Sequence, residues 1–149
     1  MAREPEGETF SAVIDKTFED TLDLLVEARN YAAFFPSARD DRRTPMEGLA
    51  VAGSHLRVTS RLAGVMAWLL YQKAVGAGEI DEAETIHTLP RLDGVDPCLD
   101  DRNDDHRDLP AGLQDLLARS HRLYLRVARL DAMIREAHAG RGEGYTKGH

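Results

Sequence analysis

Apolar side chains recur at three- and four-residue steps in three long stretches of the chain. This spacing places them on one face of an α-helix. The stretches cover residues 10–35, 45–75 and 109–139; Pro36 follows the first of them and Gly140 follows the last. Both residue types commonly mark the end of a helix. The pattern therefore predicts three long helices.

The second predicted helix has the widest apolar arc. It opens with Thr44, Pro45 and Glu47, which form the sequence pattern of a capping box with proline in the first turn. At about 100° per residue, its apolar and small side chains cover roughly 200°. One stripe consists of Val51, His55, Val58, Leu62, Val65 and Leu69, and the other of Leu49, Ala52, Leu56, Ala63, Met66 or Ala67, and Leu70. Since one neighbour needs about half this width, we expect a central helix that is covered from two sides.

The connection between the first two helices, residues 36–43, is short and charged. A short connection makes consecutive helices lie side by side and antiparallel. A chain of 149 residues is also a natural length for one compact domain. The sequence therefore predicts an all-α fold, an antiparallel three-helix bundle that forms a single domain over residues 1–149.

The remaining segments are predicted to be short or irregular. Residues 81–89 fit one or two helical turns with Asp81 as the N-cap. Proline and glycine interrupt residues 90–108, which we interpret as an acidic loop between the second and third long helices. The two ends, residues 1–9 and 140–149, are predicted to be flexible.

Charge is concentrated in one part of the chain. The net charge is −7, whereas residues 79–108 alone hold eleven acidic residues and three arginines, so the rest is close to neutral. An acidic protein is a poor candidate for binding nucleic acid. No apolar run is long enough to cross a bilayer, and residues 1–6 lack the apolar core of a signal peptide. We therefore expect a cytoplasmic protein without nucleic-acid or membrane partners.

The candidate chemistry is weak. Glu84 and His87 match one Glu-x-x-His motif, but di-iron bundles need two copies and further inward carboxylates. Residues 101–105 open like a calcium loop that lacks the required glycine and final glutamate. Cys98 stands alone, and no phosphate-binding or hydrolase motif is present. We expect no enzymatic activity and no cofactor; the alternative is a bundle that binds a metal or small molecule through the acidic segment, residues 81–108.

Two surfaces are candidates for binding a partner. On the third long helix, four arginines fall within about 80° of one another, and they are Arg119, Arg122, Arg126 and Arg129. One interpretation is a solvated face whose positive charge is balanced by the acidic loop or by Asp115. The other is a docking face for an acidic partner, because arginine binds carboxylates well. On the second helix, one face combines small residues with Arg57, Arg61, Trp68 and Gln72. Arginine and tryptophan are frequent interface anchors; the alternative is that the acidic first helix packs there and pairs with the two arginines.

Three motifs, one on each long helix, carry a resemblance to a known family. The second helix carries the longest motif, and the third and first helices add shorter ones. Their residues are Ser54, Leu56, Arg57, Thr59, Arg61, Leu62, Trp68, Leu69, Leu70, Gln72, Ala74, Val75, Gly78 and Glu79; then Leu109, Pro110, Ser120, Leu123, Tyr124, Arg126, Val127, Ala128, Arg129, Leu130 and Asp131; and Leu24, Leu25, Val26, Glu27 and Tyr31. This pattern resembles the alphaproteobacterial RcdA family, the regulators of CtrA degradation.

The resemblance implies a three-helix bundle that forms a homodimer and has no catalytic activity. It further implies a cytoplasmic adaptor that helps to deliver substrates to the ClpXP protease in bacterial cell-cycle control. Two features depart from the family pattern: the acidic segment, residues 90–108, is enlarged, and the tail after Gly140 is short. Our hypothesis is an adaptor-like interaction module that presents the Arg57–Gln72 face or the Arg119–Arg129 stripe to protein partners.

Overall fold

The computed structural model contains four helices, and its described residues contain no strand. The described backbone comprises residues 4–34, 44–89, 92 and 109–146, with side chains from residue 7 to residue 142 within these ranges. The helices are α1 (Glu4–Phe34), α2 (Pro45–Gly76), α3 (Glu82–Thr88) and α4 (Ala111–Thr146). The predicted all-α class is confirmed, with α1, α2 and α4 as the three long helices and α3 as the predicted short turn.

The predicted helix starts are confirmed at α2 and α3. Thr44 Oγ1 accepts a hydrogen bond from the Glu47 backbone N–H at 3.2 Å, and the Thr44 N–H donates to the Glu47 carboxylate at 3.0 Å. This is the reciprocal capping box. At α3, the Asp81 carboxylate accepts from the Ala83 N–H at 3.3 Å. In each case a side chain at the start of the helix satisfies an N–H group that the helix itself leaves without a partner.

The two outer helices are longer than predicted. Residues 4–9 belong to α1, and residues 140–146 belong to α4, so both helices extend into stretches that were predicted to be flexible. Proline is tolerated in the first turn of a helix and acidic residues there favour the helix dipole, which accounts for the early start of α1. At the other end, Arg141 pairs with Glu82 of α3 at 3.1 Å, a tertiary contact that offsets part of the cost of glycine in a helix. The predicted acidic loop, residues 90–108, lies outside the described residues except for Leu92.

α1 runs antiparallel to α2, as predicted from the short connection between them. The His55 Nε2 atom lies 3.2 Å from the Ala28 carbonyl oxygen, at one end of the pair. Towards the other end, Lys73 Nζ lies 2.8 Å from the Asp15 carboxylate. Residue numbers therefore rise along one helix as they fall along the other.

α2 and α4 run parallel to each other, so the bundle is not antiparallel throughout. Arg61 of α2 contacts Leu117 of α4, and Trp68 contacts Asp131, so both numbers rise together. The physical reason is the length of the connection, residues 77–110, which is enough chain to return to the end of the bundle where α2 began. The predicted bundle is confirmed, with α2 and α4 as its parallel pair. α1 runs antiparallel to both, since Glu27 and Asp20 of α1 pair with Arg119 and Arg126 of α4.

The core lies where α2 meets α1 and α4. One predicted stripe of α2 is at its centre, because Val58, Leu62, Val65 and Leu69 all have an exposed fraction of 0%. The other core side chains come from the two neighbouring helices, and they are Ile14, Leu24, Ala28, Leu113, Leu116, Leu117, Leu123, Tyr124 and Val127. α2 is the central helix that the sequence predicts. Within the described part of the chain, none of the helices has the length and apolar character needed to span a bilayer.

Candidate interaction surfaces

The predicted Arg57–Gln72 face of α2 is largely buried inside the bundle. Arg61 is 0% exposed and Trp68 is 1% exposed. Arg61 Nη1 donates to the Leu117 carbonyl oxygen at 3.1 Å and to Ser120 Oγ at 3.5 Å. Arg57 and Gln72 are half-buried. The prediction that Arg61 and Trp68 belong to an exposed partner-binding face is therefore wrong.

The neighbour that covers this face is α4. The alternative interpretation placed the acidic α1 there, whereas Leu117 and Ser120, which accept hydrogen bonds from Arg61, lie on α4. On α4, the Leu117 carbonyl and the Ser120 hydroxyl accept hydrogen bonds from Arg61, and the Asp131 carboxylate accepts one from Trp68. Buried polar groups need such partners, and the pattern of apolar positions along α2 alone does not reveal them.

A polar cluster joins α2, α3 and α4 at Asp131, which is 4% exposed. The carboxylate accepts hydrogen bonds from Trp68 Nε1 at 3.0 Å, from Arg135 Nε at 3.0 and 3.1 Å, and from the Leu92 N–H at 3.4 Å. Arg135 also donates to the Ile86 and Leu89 carbonyl oxygens, at 3.1 Å each. This cluster fixes α3 against α4. Its only sequence signal is an Asp–Arg pair four residues apart on an otherwise apolar face.

The second predicted apolar stripe of α2 is exposed, which contradicts the expectation that two neighbours cover it. Leu49 is 67% exposed, Leu56 is 65% and Leu70 is 52%. Ala52, Ala63 and Ala67 are exposed beside them. At 100° per residue these six side chains lie opposite the buried stripe. The reason for the error is that α4 packs on the polar side of the buried stripe, and not on its apolar side.

We call these six residues of α2 the outer face. None of the four charged residues of α2 (Glu47, Arg57, Arg61 and Lys73) lies among them. From Leu49 to Leu70 the face is about 30 Å long at 1.5 Å per residue. On α1, Leu22 and Val26 are also exposed, at 42% and 46%. The antiparallel register of α1 and α2 puts these two side chains at the level of the middle of the face.

The arginine stripe of α4 is the predicted surface that remains accessible. Arg119 pairs with Glu27 of α1 at 2.7 Å and with Asp115 at 3.2 Å, and Arg126 pairs with Asp20 at 3.4 Å. Arg122 and Arg129 are exposed and pair with no described residue. All four arginines line one shallow depression of about 480 Å³.

Part of the stripe is balanced from within the molecule, by Asp115 as predicted and by the acids of α1. The hydrogen bond that Arg119 donates to Glu27 raises the pKa of the Arg119 guanidinium above its ordinary value. Arg119 therefore stays charged throughout the physiological pH range. The depression keeps a net positive charge, because two of its arginines have no acidic partner in the described residues.

The structure describes only some of the residues predicted as candidates for metal binding. The described residues contain no cluster of three or more histidine, cysteine or acidic side chains that could hold a metal. Glu84 and His87 lie on α3 and are exposed. Cys98 and residues 101–106 lie outside the described part of the chain.

Comparison with known proteins relates most of the chain to a family and to a solved structure. A family model described as "Protein of unknown function (DUF1465)" matches residues 6–146. The crystal structure of RcdA from Caulobacter crescentus CB15 is 31% identical in sequence, with a TM-score of 0.65. The match covers 82% of this chain and 91% of that chain. A comparison with curated proteins gave no match.

Proposed function

This chain belongs to the RcdA-like family described as protein of unknown function (DUF1465), and we propose that it acts as a non-enzymatic adaptor in regulated proteolysis. The observation that carries the proposal is the outer face of α2. A contiguous exposed apolar surface of this kind marks a site of protein–protein contact. We infer the cellular process from the resemblance to the RcdA family: delivery of substrates to ClpXP in the cytoplasm during cell-cycle control.

We assign the outer face to homodimerisation. The face is uncharged and rich in alanine, so two copies can approach closely without burying an unpaired charge. In a dimer with a two-fold axis, the same patch of both copies meets. An uncharged apolar patch can pack against itself, because it brings no like charges together. Leu22 and Val26 of α1 enlarge the buried area. The arginine stripe lies on α4 and remains open to partners in such a dimer.

Substituting Leu56 and Leu70 together by glutamate is expected to give a monomer. Two charges within an apolar interface must be desolvated for association, so we expect the dimer dissociation constant to rise at least about 100-fold. Light scattering coupled to gel filtration over a range of protein concentrations measures the change. The control is Arg122→Glu, an exposed substitution away from the face. A double variant with the same dimer content as the unchanged protein would contradict this interface.

We assign the arginine stripe to an acidic segment of a partner protein. Arginine binds carboxylates through two parallel hydrogen bonds, and Arg122 and Arg129 are exposed for that purpose. Charged residues at an accessible rim mainly raise the rate of association and set specificity. The stripe and the outer face therefore have separate roles, the first in recognition and the second in assembly.

The adaptor role is testable in a reconstituted degradation assay with ClpXP and CtrA from the host organism. We expect the purified chain to accelerate CtrA degradation, alone or with the remaining host factors added. Replacing Arg122 and Arg129 together by glutamate is expected to lower this stimulation by about tenfold, because two favourable charge contacts become repulsive. Asp23→Lys, a single exposed charge reversal of the opposite sign on α1, is the control. No acceleration under any of these conditions, or equal acceleration by the arginine variant, would contradict the assignment.

A further inference from the structure

The four arginines of the stripe are not equally available to a partner. Arg119 is held by two acids, Glu27 at 2.7 Å and Asp115 at 3.2 Å. The described residues offer Arg126 a single acidic partner, Asp20, at 3.4 Å, and leave 52% of the Arg126 side chain exposed. Attraction between charges falls with distance, and a second acid adds to it. Arg119 is therefore committed to joining α1 to α4, whereas the ion pair of Arg126 is the weaker one.

Asp20 is the acid that lies inside the arginine depression. The lining of the depression contains the four arginines and one acid, which is Asp20. Glu27 and Asp115, which hold Arg119, are not part of the described lining. With four positive charges against one negative charge, the lining attracts an anionic group. The carboxylate of Asp20 already occupies the place beside Arg126 at which a carboxylate of a partner would bind.

Asp20 has a second basic partner on its own helix. Lys16 Nζ lies 3.3 Å from Asp20 Oδ1, while Arg126 Nη2 lies 3.4 Å from Asp20 Oδ2. Ion pairs between exposed side chains contribute little to stability, and Lys16 and Arg126 are both exposed. Asp20 can therefore give up Arg126 at little cost, because Lys16 still balances its charge.

Three arginines face an acidic partner once Asp20 releases its contact. Arg122, Arg126 and Arg129 follow one another at steps of four and three residues, so they share one face of α4 over about 10 Å. Arg122 and Arg129 form no ion pair with any described residue. Three or four residues of an extended acidic segment cover this length at about 3.3 Å per residue. The arrangement therefore suits a segment that contributes several carboxylates in a row.

We propose that Asp20 is an internal competitor for the acidic partner of the stripe, and that Arg126 is a third partner-binding arginine. A carboxylate of the partner replaces that of Asp20 on Arg126, and Asp20 keeps its pair with Lys16. The competition lowers the affinity of the stripe and restricts it to partners that are acidic enough to displace Asp20. This inference rests on the proposed assignment of the stripe to an acidic segment of a partner protein.

A fluorescein-labelled peptide of about eight glutamates, long enough to span the stripe, tests the inference. Its binding to the full chain is measured by fluorescence polarisation at physiological ionic strength, with a glutamine peptide of the same length as the uncharged comparison. Asp20→Asn removes the competing charge and is expected to tighten binding of the glutamate peptide at least about threefold, because Arg126 no longer has to exchange one carboxylate for another.

Glu19→Gln is the matched control for Asp20→Asn. It removes the same charge from an exposed acid of α1 that does not line the depression and lies about 100° further round the helix. We expect this control to change the affinity by less than about 1.5-fold, since salt screens a charge outside the site. Equal affinities of the two variants would overturn the inference.

A double-mutant cycle tests whether Asp20 acts through Arg126. Arg126→Gln alone is expected to weaken binding of the glutamate peptide at least about threefold, because one carboxylate contact is lost. In the Arg126→Gln background, Asp20→Asn is expected to tighten binding by less than about 1.5-fold, since no contact remains for it to release. The same gain in both backgrounds would mean that Asp20 acts by general repulsion, and it would overturn the inference. Thermal denaturation monitored by circular dichroism shows whether each variant is folded.

The same titrations separate this inference from the proposed function. Replacing Arg122 and Arg129 together by glutamate is expected to weaken binding of the glutamate peptide at least about tenfold. If the peptide does not bind the unchanged protein, or binds this double variant equally well, the assignment of the stripe fails and the inference fails with it. If Arg122 and Arg129 are required but Asp20→Asn and Arg126→Gln have no effect, the inference alone is overturned.

Discussion

Replacing Asp131 by alanine is expected to lower the free energy of unfolding by about 3 kcal/mol. The carboxylate is buried and accepts hydrogen bonds from Trp68 Nε1, Arg135 Nε and the Leu92 N–H. Its removal leaves the indole N–H and the guanidinium of Arg135 without their acceptor inside the bundle. The cost of leaving a buried charge unpaired exceeds the net stabilisation that the intact pair provides.

Urea denaturation followed by circular dichroism at a fixed protein concentration measures this loss, because dimerisation would otherwise shift the transition. Asp131→Asn keeps an acceptor for Trp68 and loses the charge, so we expect an intermediate loss of about 1.5 kcal/mol. Asp115→Ala removes a 58% exposed partner of Arg119 and is expected to cost less than about 0.5 kcal/mol. A loss for Asp131→Ala as small as that of Asp115→Ala would show that the cluster does not hold α2, α3 and α4 together.

The long helices and their capping were predictable because the signals are local. The capping box of Thr44 and Glu47 and the N-cap Asp81 depend on residues within one turn. The apolar step pattern of each helix likewise depends only on its own sequence. The ends of α1 and α4 were less predictable, since glycine and proline carry a cost that a contact such as Arg141–Glu82 offsets only in the folded bundle.

The assignment of the two sides of α2 was not predictable from its periodicity. Ser54 and Arg61 are polar residues of the kind common on exposed faces, and Trp68 has a polar indole N–H, yet all three are buried. The leucines at positions 49, 56 and 70 read as core positions, yet no described helix covers them. Hydrophobicity alone does not tell which face of α2 a neighbouring helix covers. α4 covers the polar face because its Ser120 and Asp131 accept hydrogen bonds from Arg61 and Trp68.

The direction of α4 relative to α2 could not be predicted from the sequence pattern either. Periodicity gives the face of a helix and not its direction, and the long connection, residues 77–110, permits both directions. The arginine stripe was predictable as an exposed surface because charged side chains on the side opposite the core remain in water whichever way the helix runs. Its partial neutralisation by Asp20 and Glu27 follows from tertiary packing on α1.

The arginine stripe and the outer face lie on different helices and differ in charge. The stripe on α4 is positive, whereas the outer face of α2 carries no charge. Such a division allows one small bundle to contact an acidic partner and a second copy of itself through different residues. The separate variants described above change one of these surfaces at a time.

Replacing Arg61 by glutamate is expected to unfold the protein or to destabilise it by at least about 4 kcal/mol. The side chain is 0% exposed, and the substitution would place a negative charge near the Leu117 carbonyl oxygen. Arg61→Met is expected to cost no more than about 1.5 kcal/mol, because an unbranched apolar side chain fills much of the same space and leaves no charge in the interior. The Leu117 carbonyl retains its acceptor role within α4.

Urea denaturation and gel filtration distinguish these outcomes, with Arg122→Glu on the exposed stripe as the control, expected to change stability by less than about 0.5 kcal/mol. If Arg61→Glu were as stable as Arg122→Glu, Arg61 would be accessible to solvent and the packing of α2 on α4 would be incorrect. The expected result has a practical consequence for partner mapping. Loss of binding in an Arg61 charge reversal would report loss of the fold, so recognition has to be tested at Arg122 and Arg129, where the side chains are exposed.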